Sequence, residues 1–508
     1  MPGRMEFEFS SRRNTTGAKR DEQPFNILVL GNFRGQASDL TGDADSISKR
    51  RIIEVDLDKL EQLWSVFQPQ ISLQMSTASI DFSPRDIDDF HPDQLLQNLQ
   101  VFAELRDLKK RLLNSESAQA ALEEILSSGT VLEGELAEEA PAEVKTEVTE
   151  DSGEMFERLL GGSSRPDAAP RAVQSGLRKL DAYIQELVAP HIVHETDPRV
   201  ETAINSVDLA TGELMRSILH HDEFQALEST WRSLFETVSE LELDENLHLY
   251  VCDIKQEELL AGLPDAGESL QDSPLFELLV QGRKQAADDS PWTVIAGDYY
   301  FGPEPHDIAL LTALGAAAAM NDGIFLGGAR PSILGCSTVA ELADAKYWSA
   351  SGGDGGLWQA LRGSQVADRL GLALPRVLAR LPYGEKTEEI DSFQFEEMPQ
   401  RAHEDYLWAN PSWYCARMLA QSFTNRGWDM DSGDTLNLGY LPAHNYTEDG
   451  ESRLQACAEL LLSEATMVAM LDHGLMPLIS YRNQNTAVLG RFQSIASPVT
   501  ALAGPWEA

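Results

Sequence analysis

From Leu247 onward the chain alternates short apolar runs with helical stretches, and this rhythm limits what it can fold into more than any other feature. The strand-like runs are Leu247–Ile254, Trp292–Ala296, Ile324–Leu326, Arg376–Leu381 and Met476–Tyr481. Between them, helical periodicity is read near Leu275–Gln281, over Pro305–Met320, around Leu357–Leu370, across Trp413–Asn425 and over Leu454–Leu471. Strands of this kind alternating with helices predict a three-layer α/β domain with a mixed, partly parallel sheet. Two helical segments precede it, Val173–Val188 and Leu214–Leu241. In the second, Leu227, Trp231, Leu234, Val238 and Leu241 form an apolar stripe after a turn at His220-His221-Asp222.

The first part of the chain has a different, α+β pattern. Phe25–Leu30 is a short buried strand ended by Gly31. Ile71, Leu73 and Met75 alternate with polar residues and are followed by Ile80-Asp-Phe82, which predicts a hairpin. Asp89-Phe-His91-Pro92 opens a helix, with Pro92 suited to its first turn. Leu95, Leu99, Phe102, Leu105, Leu108 and Leu112 give it one continuous apolar stripe that packs on the sheet. Four segments are therefore expected. Residues 1–130 form the first region, 131–172 an acidic Gly/Ser/Pro linker, 173–493 the α/β region and 494–508 a tail. The linker is too poor in apolar side chains to offset its chain entropy, so mobility is expected there.

Forty Lys and Arg against 82 Asp and Glu leave a formal charge of −42, which argues against nucleic acid and anionic membranes as partners. Cys252, Cys336, Cys415 and Cys457 lie far apart in apolar stretches, without metal or disulfide spacing, and read as buried hydrophobes in a reducing compartment. The basic start lacks the apolar core of a secretory signal, and Ala309–Met320 is shorter than a membrane span needs. A soluble cytoplasmic protein is expected. No P-loop, dinucleotide fingerprint or nucleophile elbow occurs, so no cofactor is expected. Gly323–Ala329 reads as close packing. His191 and His194 with Glu195 are bracketed by prolines and read as structural, so no metal site is expected either. Glu396 and Glu397, taken as neighbours on a strand, point to opposite faces and cannot share acid/base work. One of them is expected to pair with Arg376 or Arg380. Trp408, Trp413 and Tyr414 with Pro411 read as core, with interface anchoring as the alternative.

Several longer strings carry a resemblance. Leu374-Pro-Arg376, Arg380-Leu-Pro-Tyr383-Gly384, Phe393–Glu397 and His403–Asn410 follow one another as in the large contractile-sheath subunit of bacterial type VI secretion systems, the TssC (VipB) family. The strings at Asp222–Phe235, Pro291–Pro303 and Gly474–Arg482 resemble the same family. In the first region, Pro24–Gly35, Arg50-Arg51 with the strand after it, and Asp86–Leu96 resemble the small sheath subunit, TssB (VipA), with Asn32 where that family usually has Asp. The chain thus resembles a fusion of both subunits, with a sheath-protomer-like fold.

The resemblance implies a structural protein without an active site, which assembles with other sheath protomers around an inner tube on a baseplate. It also implies disassembly by a ClpV-type ATPase and association with a membrane-anchored apparatus without insertion into the membrane. The family-motif candidates for structural or interface roles are Arg376, Arg380, Tyr383, Glu396, Glu397, His403, Tyr406, Trp408 and Asn410. Large subunits of this family continue beyond the point matching Arg491–Ser494, so the tube-facing and interlocking layer is expected to be reduced, with Met5–Phe9 as the strand available for donation. Two rival readings are an accessory or capping protein, and a small-molecule enzyme using Asp298, His306 and His403.

Overall fold

The computed structural model describes residues 23–35, 47–75, 79–114, 117–128, 198–264, 269–282, 290–349, 355–448, 450–482 and 484–506. The expected linker, the Val173–Val188 helix, the His191/His194 pair and the Met5–Phe9 strand lie outside these residues. The chain divides into two compact units, residues 1–101 with 212–508, and residues 102–211.

Strands of the first unit are, in order, β1 (Phe25–Gly31), β2 (Ile52–Val55), β3 (Ile71–Gln74), β4 (Ser79–Phe82), β5 (Leu247–Asp253), β6 (Val294–Phe301), β7 (Ile324–Ala329) and β8 (Leu370–Leu374). They continue with β9 (Val377–Leu378), β10 (Trp408–Ala409), β11 (Asn437–Leu438), β12 (His444–Glu448), β13 (Glu451–Gln455), β14 (Met476–Ser480) and β15 (Ala487–Leu489). Nine of them form one sheet in the order β11-β15-β14-β8-β7-β6-β1-β5-β2. The run from β14 to β5 is parallel, and β2, β15 and β11 add antiparallel edges. This is the mixed, partly parallel sheet expected. The two regions share it: β1 lies between β5 and β6, and β2 pairs with β5.

All seven residues of β1 are buried, as a strand covered on both faces requires. Successive side chains point to opposite faces. Leu28 and Leu30 join Leu310, Leu311 and Leu314 of the Pro305–Met320 helix in one hydrophobic core cluster. Phe25 instead meets Phe423 of the Pro411–Arg426 helix, with ring centroids 4.9 Å apart. Helices therefore cover both faces of the sheet, giving three layers. Over the second face, Trp231 of the Asp222–Glu240 helix stacks on Trp64 at 3.6 Å and donates its Nε1–H to the Phe33 carbonyl at 3.0 Å. Phe82, Phe90 and Phe224 extend this aromatic layer.

The second unit has its own small core of Leu112, Ala118, Ala121, Leu122, Val200, Ala203 and Val207. Lys109 and Asp208 form an ion pair within it at 2.7 Å.

Several expected elements differ. The stripe from Leu95 to Leu112 does not lie on one helix. The Pro92–Asn98 helix ends at Leu99, whose backbone is extended (φ −78, ψ 129), and a new helix spans Ala103–Leu113. The helix expected around Leu357–Leu370 covers only Gly355–Arg362, and Leu370 opens β8 in the main sheet. The strand expected at Arg376–Leu381 shrinks to β9, which pairs with β10 outside that sheet. Over Leu454–Leu471 the chain first completes the β12–β13 hairpin and becomes helical only at Glu464–Asp472. Residues after Gln493 pack on the body: Leu502 is buried, and the Ala503 N–H donates to the Asp368 carbonyl at 2.8 Å.

Trp231 fills a fully enclosed site contacted from both sequence regions. Trp231→Ala should cost about 3–5 kcal/mol, read as a lower urea midpoint for the first unit, whereas Phe235→Ala, at an exposed position of the same helix, should change it little.

Candidate functional site

The motif residues converge beside the helix layer in two ion-paired assemblies. Arg380, which follows β9, is buried, and its guanidinium is shared by two glutamates. It reaches Glu228 at 2.8 Å through Nε and holds Glu397 in a fork through Nη1 (2.8 Å) and Nη2 (3.0 Å). Arg232, one helical turn after Glu228, donates to the same Glu228 oxygen at 2.7 Å. Two arginines and two carboxylates thus balance in charge, the condition under which buried ions are tolerated. Tyr383 closes the assembly. Its ring lies 4.3 Å from the Arg380 guanidinium carbon, its hydroxyl accepts from Arg232 at 3.1 Å, and its N–H donates to Glu397 at 2.7 Å. Burial opposes the charge on Glu397, but Arg380 and these hydrogen bonds outweigh it and hold the carboxyl at about 2.

Arg376 anchors the second assembly. Its backbone N–H and Nε each donate to Glu459 at 2.9 Å, and its Nη2 reaches Glu404 at 3.3 Å. His403 contacts the same Glu459 carboxylate at 2.8 Å while its ring stacks on Trp408. Glu459 is buried with φ +45, a backbone region that non-glycine residues seldom occupy. Burial again opposes its charge, and His403 and Arg376 keep its carboxyl below the ordinary range.

Tyr406 hydrogen-bonds His444 Nδ1 at 2.7 Å; burial pushes that imidazole down, which favours its neutral, proton-accepting form. Asn410 caps the Pro411–Arg426 helix by accepting from the Ser412 N–H at 2.9 Å, and its amide donates to the Tyr299 carbonyl on β6. Glu396 and Glu397 do point apart, but from an irregular segment and not from a strand. Glu396 is exposed and accepts from the Glu385 N–H at 3.1 Å, steadying the turn at Gly384.

The first region reaches the same place. Asp93, in the first turn of the Pro92–Asn98 helix, accepts from the N–H groups of Asp391 and Ser392 at 3.1 and 3.0 Å. His91, the N-cap of that helix, sets its ring edge-on to Tyr383 at 5.1 Å. Glu228, Arg232 and Glu459 were missed in the sequence. The first two read as an ordinary i,i+4 surface pair; the third had a signal, a lone charge in the apolar run Ala456–Leu462.

A cleft of about 580 Å³ opens beside the second assembly. Of the three residues weighed for chemistry, Asp298 lines it and His306 and His403 do not. His306 lies on the surface near Asp307, and His403 is engaged by Trp408 and Glu459. Among the described residues no group of His, Cys, Asp and Glu could hold a metal, and no helix is long and apolar enough to cross a membrane. The four cysteines are free and buried.

Comparison with known proteins accounts for these motifs. The family profile described as EvpB/VC_A0108, tail sheath N-terminal domain, matches residues 201–496. The chain is also 31% identical over 378 residues to the type VI secretion system sheath protein TssC1 of Pseudomonas aeruginosa, covering 72% of this chain and 74% of that relative. The chain belongs to the type VI secretion sheath family. A second profile, described as Type VI secretion system, VipA, VC_A0107 or Hcp2, matches residues 3–140, so small-subunit and large-subunit sheath sequences are fused in one polypeptide. The protein is a structural sheath component, and the family forms its structures by association of sheath subunits.

Two outcomes follow from the charges in this sheath protein. The depressed Glu397 stabilises the fold above its ordinary value near 4.5, and that stabilisation is lost as pH falls toward 2. Glu397→Gln should therefore lower stability by about 2–3 kcal/mol at pH 7, with the difference from the parent shrinking below pH 4 in urea melts. Asp298 has the opposite sign. Burial pushes its carboxyl from 3.8 to about 6 despite hydrogen bonds from Thr230 and Trp413, so ionisation costs stability as pH rises through that interval. Asp298→Asn should stabilise the protein by about 1–2 kcal/mol at pH 7.5 and leave it unchanged at pH 4.

Proposed function

We propose that the chain works as a sheath-type protomer that assembles helically with further copies around an inner tube, in the bacterial cytoplasm, and has no active site of its own. The observation that carries this reading is β1. A strand from the small-subunit-like sequence is hydrogen-bonded on both sides by strands of the large-subunit-like sequence, so one polypeptide supplies the paired body that such a protomer requires. Contacts between unlike surfaces that do not close into a ring generate a filament. In this reading residues 1–130 and 173–493 are the two sheath-subunit regions and residues 131–172 replace a chain break.

The motif residues then divide by exposure. Arg380, Tyr383, Glu397, Tyr406, Trp408 and Asn410 stiffen the protomer from inside, so that strain is passed on and not absorbed. Arg376 and His403 stiffen its rim beside exposed Glu404, and Glu396 faces neighbouring subunits. A baseplate and a ClpV-type ATPase complete the set of partners, the ATPase supplying the energy that a passive protomer lacks.

Negative-stain microscopy of the purified chain, alone and with inner-tube and conventional sheath proteins, tests the proposal. Tubes with a helical repeat are expected. Discrete particles that sit only at sheath ends or on baseplates would replace the lattice role with a capping one, and particles that bind neither would reopen the question of chemistry.

A further inference from the structure

The cleft stands where open α/β sheets bind ligands, outside the carboxyl ends of the parallel strands. Asn32 follows β1, Lys255 and Glu257 follow β5, Arg330 follows β7 and Arg376 follows β8; all line it, as does Asp298 from β6. Its volume of about 580 Å³ lies in the range of small-molecule sites. The register between β6 and β7 shifts between Ala296 and Tyr300, and irregularities of this kind re-aim side chains beside functional sites. Here Asp298 is the residue so placed.

The lining carries five acidic side chains, Asp222, Glu257, Asp298, Glu404 and Glu459, against three basic ones, Lys255, Arg330 and Arg376. Arg376 is committed to Glu459 and Glu404, and Arg330 to Asp307, which leaves Asp222, Glu257 and Asp298 against Lys255. Asp298 has no cationic partner among the described residues; its carboxylate is met only by neutral groups, the Thr230 hydroxyl at 2.7 Å and the Trp413 indole. The buried carboxylates of the two assemblies, Glu228, Glu397 and Glu459, are each matched by arginine, as buried charges ordinarily are, whereas half-buried Asp298 is not. A carboxylate that weakens the fold at neutral pH persists where a ligand uses it.

We infer that this cleft binds an organic cation, an alkylammonium or guanidinium group, with Asp298 as its counter-ion. Such a group is carried by free polyamines and by Lys or Arg side chains of a partner protein, and the two sources share this chemistry. The site lies within one chain and does not depend on lattice formation.

Calorimetric titration of the purified full chain at pH 7.5 tests the inference, with agmatine and spermidine as free cations and acetyl-Gly-Arg-Gly-amide as the protein-borne form. Saturable binding of at least one is expected, weakened about tenfold or more in Asp298→Asn, whose retained fold is checked by its melting curve. Glu257→Gln, at the same cleft, should weaken it less. Tighter binding of the peptide would assign the site to a partner side chain, and tighter binding of the free amines to a soluble ligand. No saturable heat with any cation, equal affinity in Asp298→Asn, or preference for succinate over agmatine would overturn the inference.

Discussion

The protomer depends on β1. Its backbone bonds to β5 on one side and β6 on the other, and its side chains reach the helix layers on both faces. Without it the nine-stranded sheet would fall into two pieces, β5-β2 and the run from β6 to β11. Asn26 helps fix its register: the buried side-chain amide donates to the Pro291 carbonyl, and the Asn26 backbone carbonyl accepts from the Thr293 N–H. A slip by one residue would strand that amide in an apolar layer and reverse every side chain on the strand. Placing β1 on the same chain as its neighbours turns a bimolecular docking into an intramolecular one, at an effective concentration set by the connecting segment.

Electrostatics divides the molecule into two regimes. With a charge of −42 the surface of each copy repels the next over distances that salt does not screen. Inside, Arg380 and Arg417 act against this background as ties between distant elements: Arg380 joins the Asp222–Glu240 helix to the Glu397 segment, and Arg417 pairs with Glu236. The Arg380 ties are buried on both sides and the Arg417 guanidinium is buried against half-buried Glu236, so they are screened less than surface pairs. The body can therefore stay rigid under ionic conditions that change how copies meet.

Much of this was legible in the sequence. Pro305–Met320 announced itself by proline at its first turn and an alanine-rich interior, and its bounds match those expected. The Ile71–Phe82 hairpin followed from strict alternation. What failed did so where long-range contacts override local pattern. The run Ala456–Leu462 reads as helix, yet its backbone is claimed elsewhere: the Cys457 carbonyl accepts from Leu378, the Ala458 N–H donates to Ser480, and Glu459 takes a left-handed turn to meet Arg376. Likewise Leu370–Leu374 is a five-residue apolar run that suits strand or helix equally, and only its place between β7 and β14 decides. At the motif site, the sequence indicated that Glu396 or Glu397 would meet an arginine. It could not indicate that Glu228, remote in the chain, would complete the pair.

Two departures from local rules meet at one place, the left-handed backbone of Glu459 and the uncompensated charge of Asp298; both line the cleft at the ends of the central strands. Selection for stiffness alone accounts for the first and not the second, since asparagine at position 298 would remove the charge without disturbing the sheet. Glu459 is explained by the Arg376–His403 assembly it closes. Asp298 accepts only from neutral groups of this chain, the Thr230 hydroxyl and the Trp413 indole, and a carboxylate that meets no cation among the described residues is best understood by what lies outside it. The sheath body is then a rigid frame around a polar cleft, and the feature least accounted for by its mechanical role is the one placed where a sheet of this topology recognises a ligand.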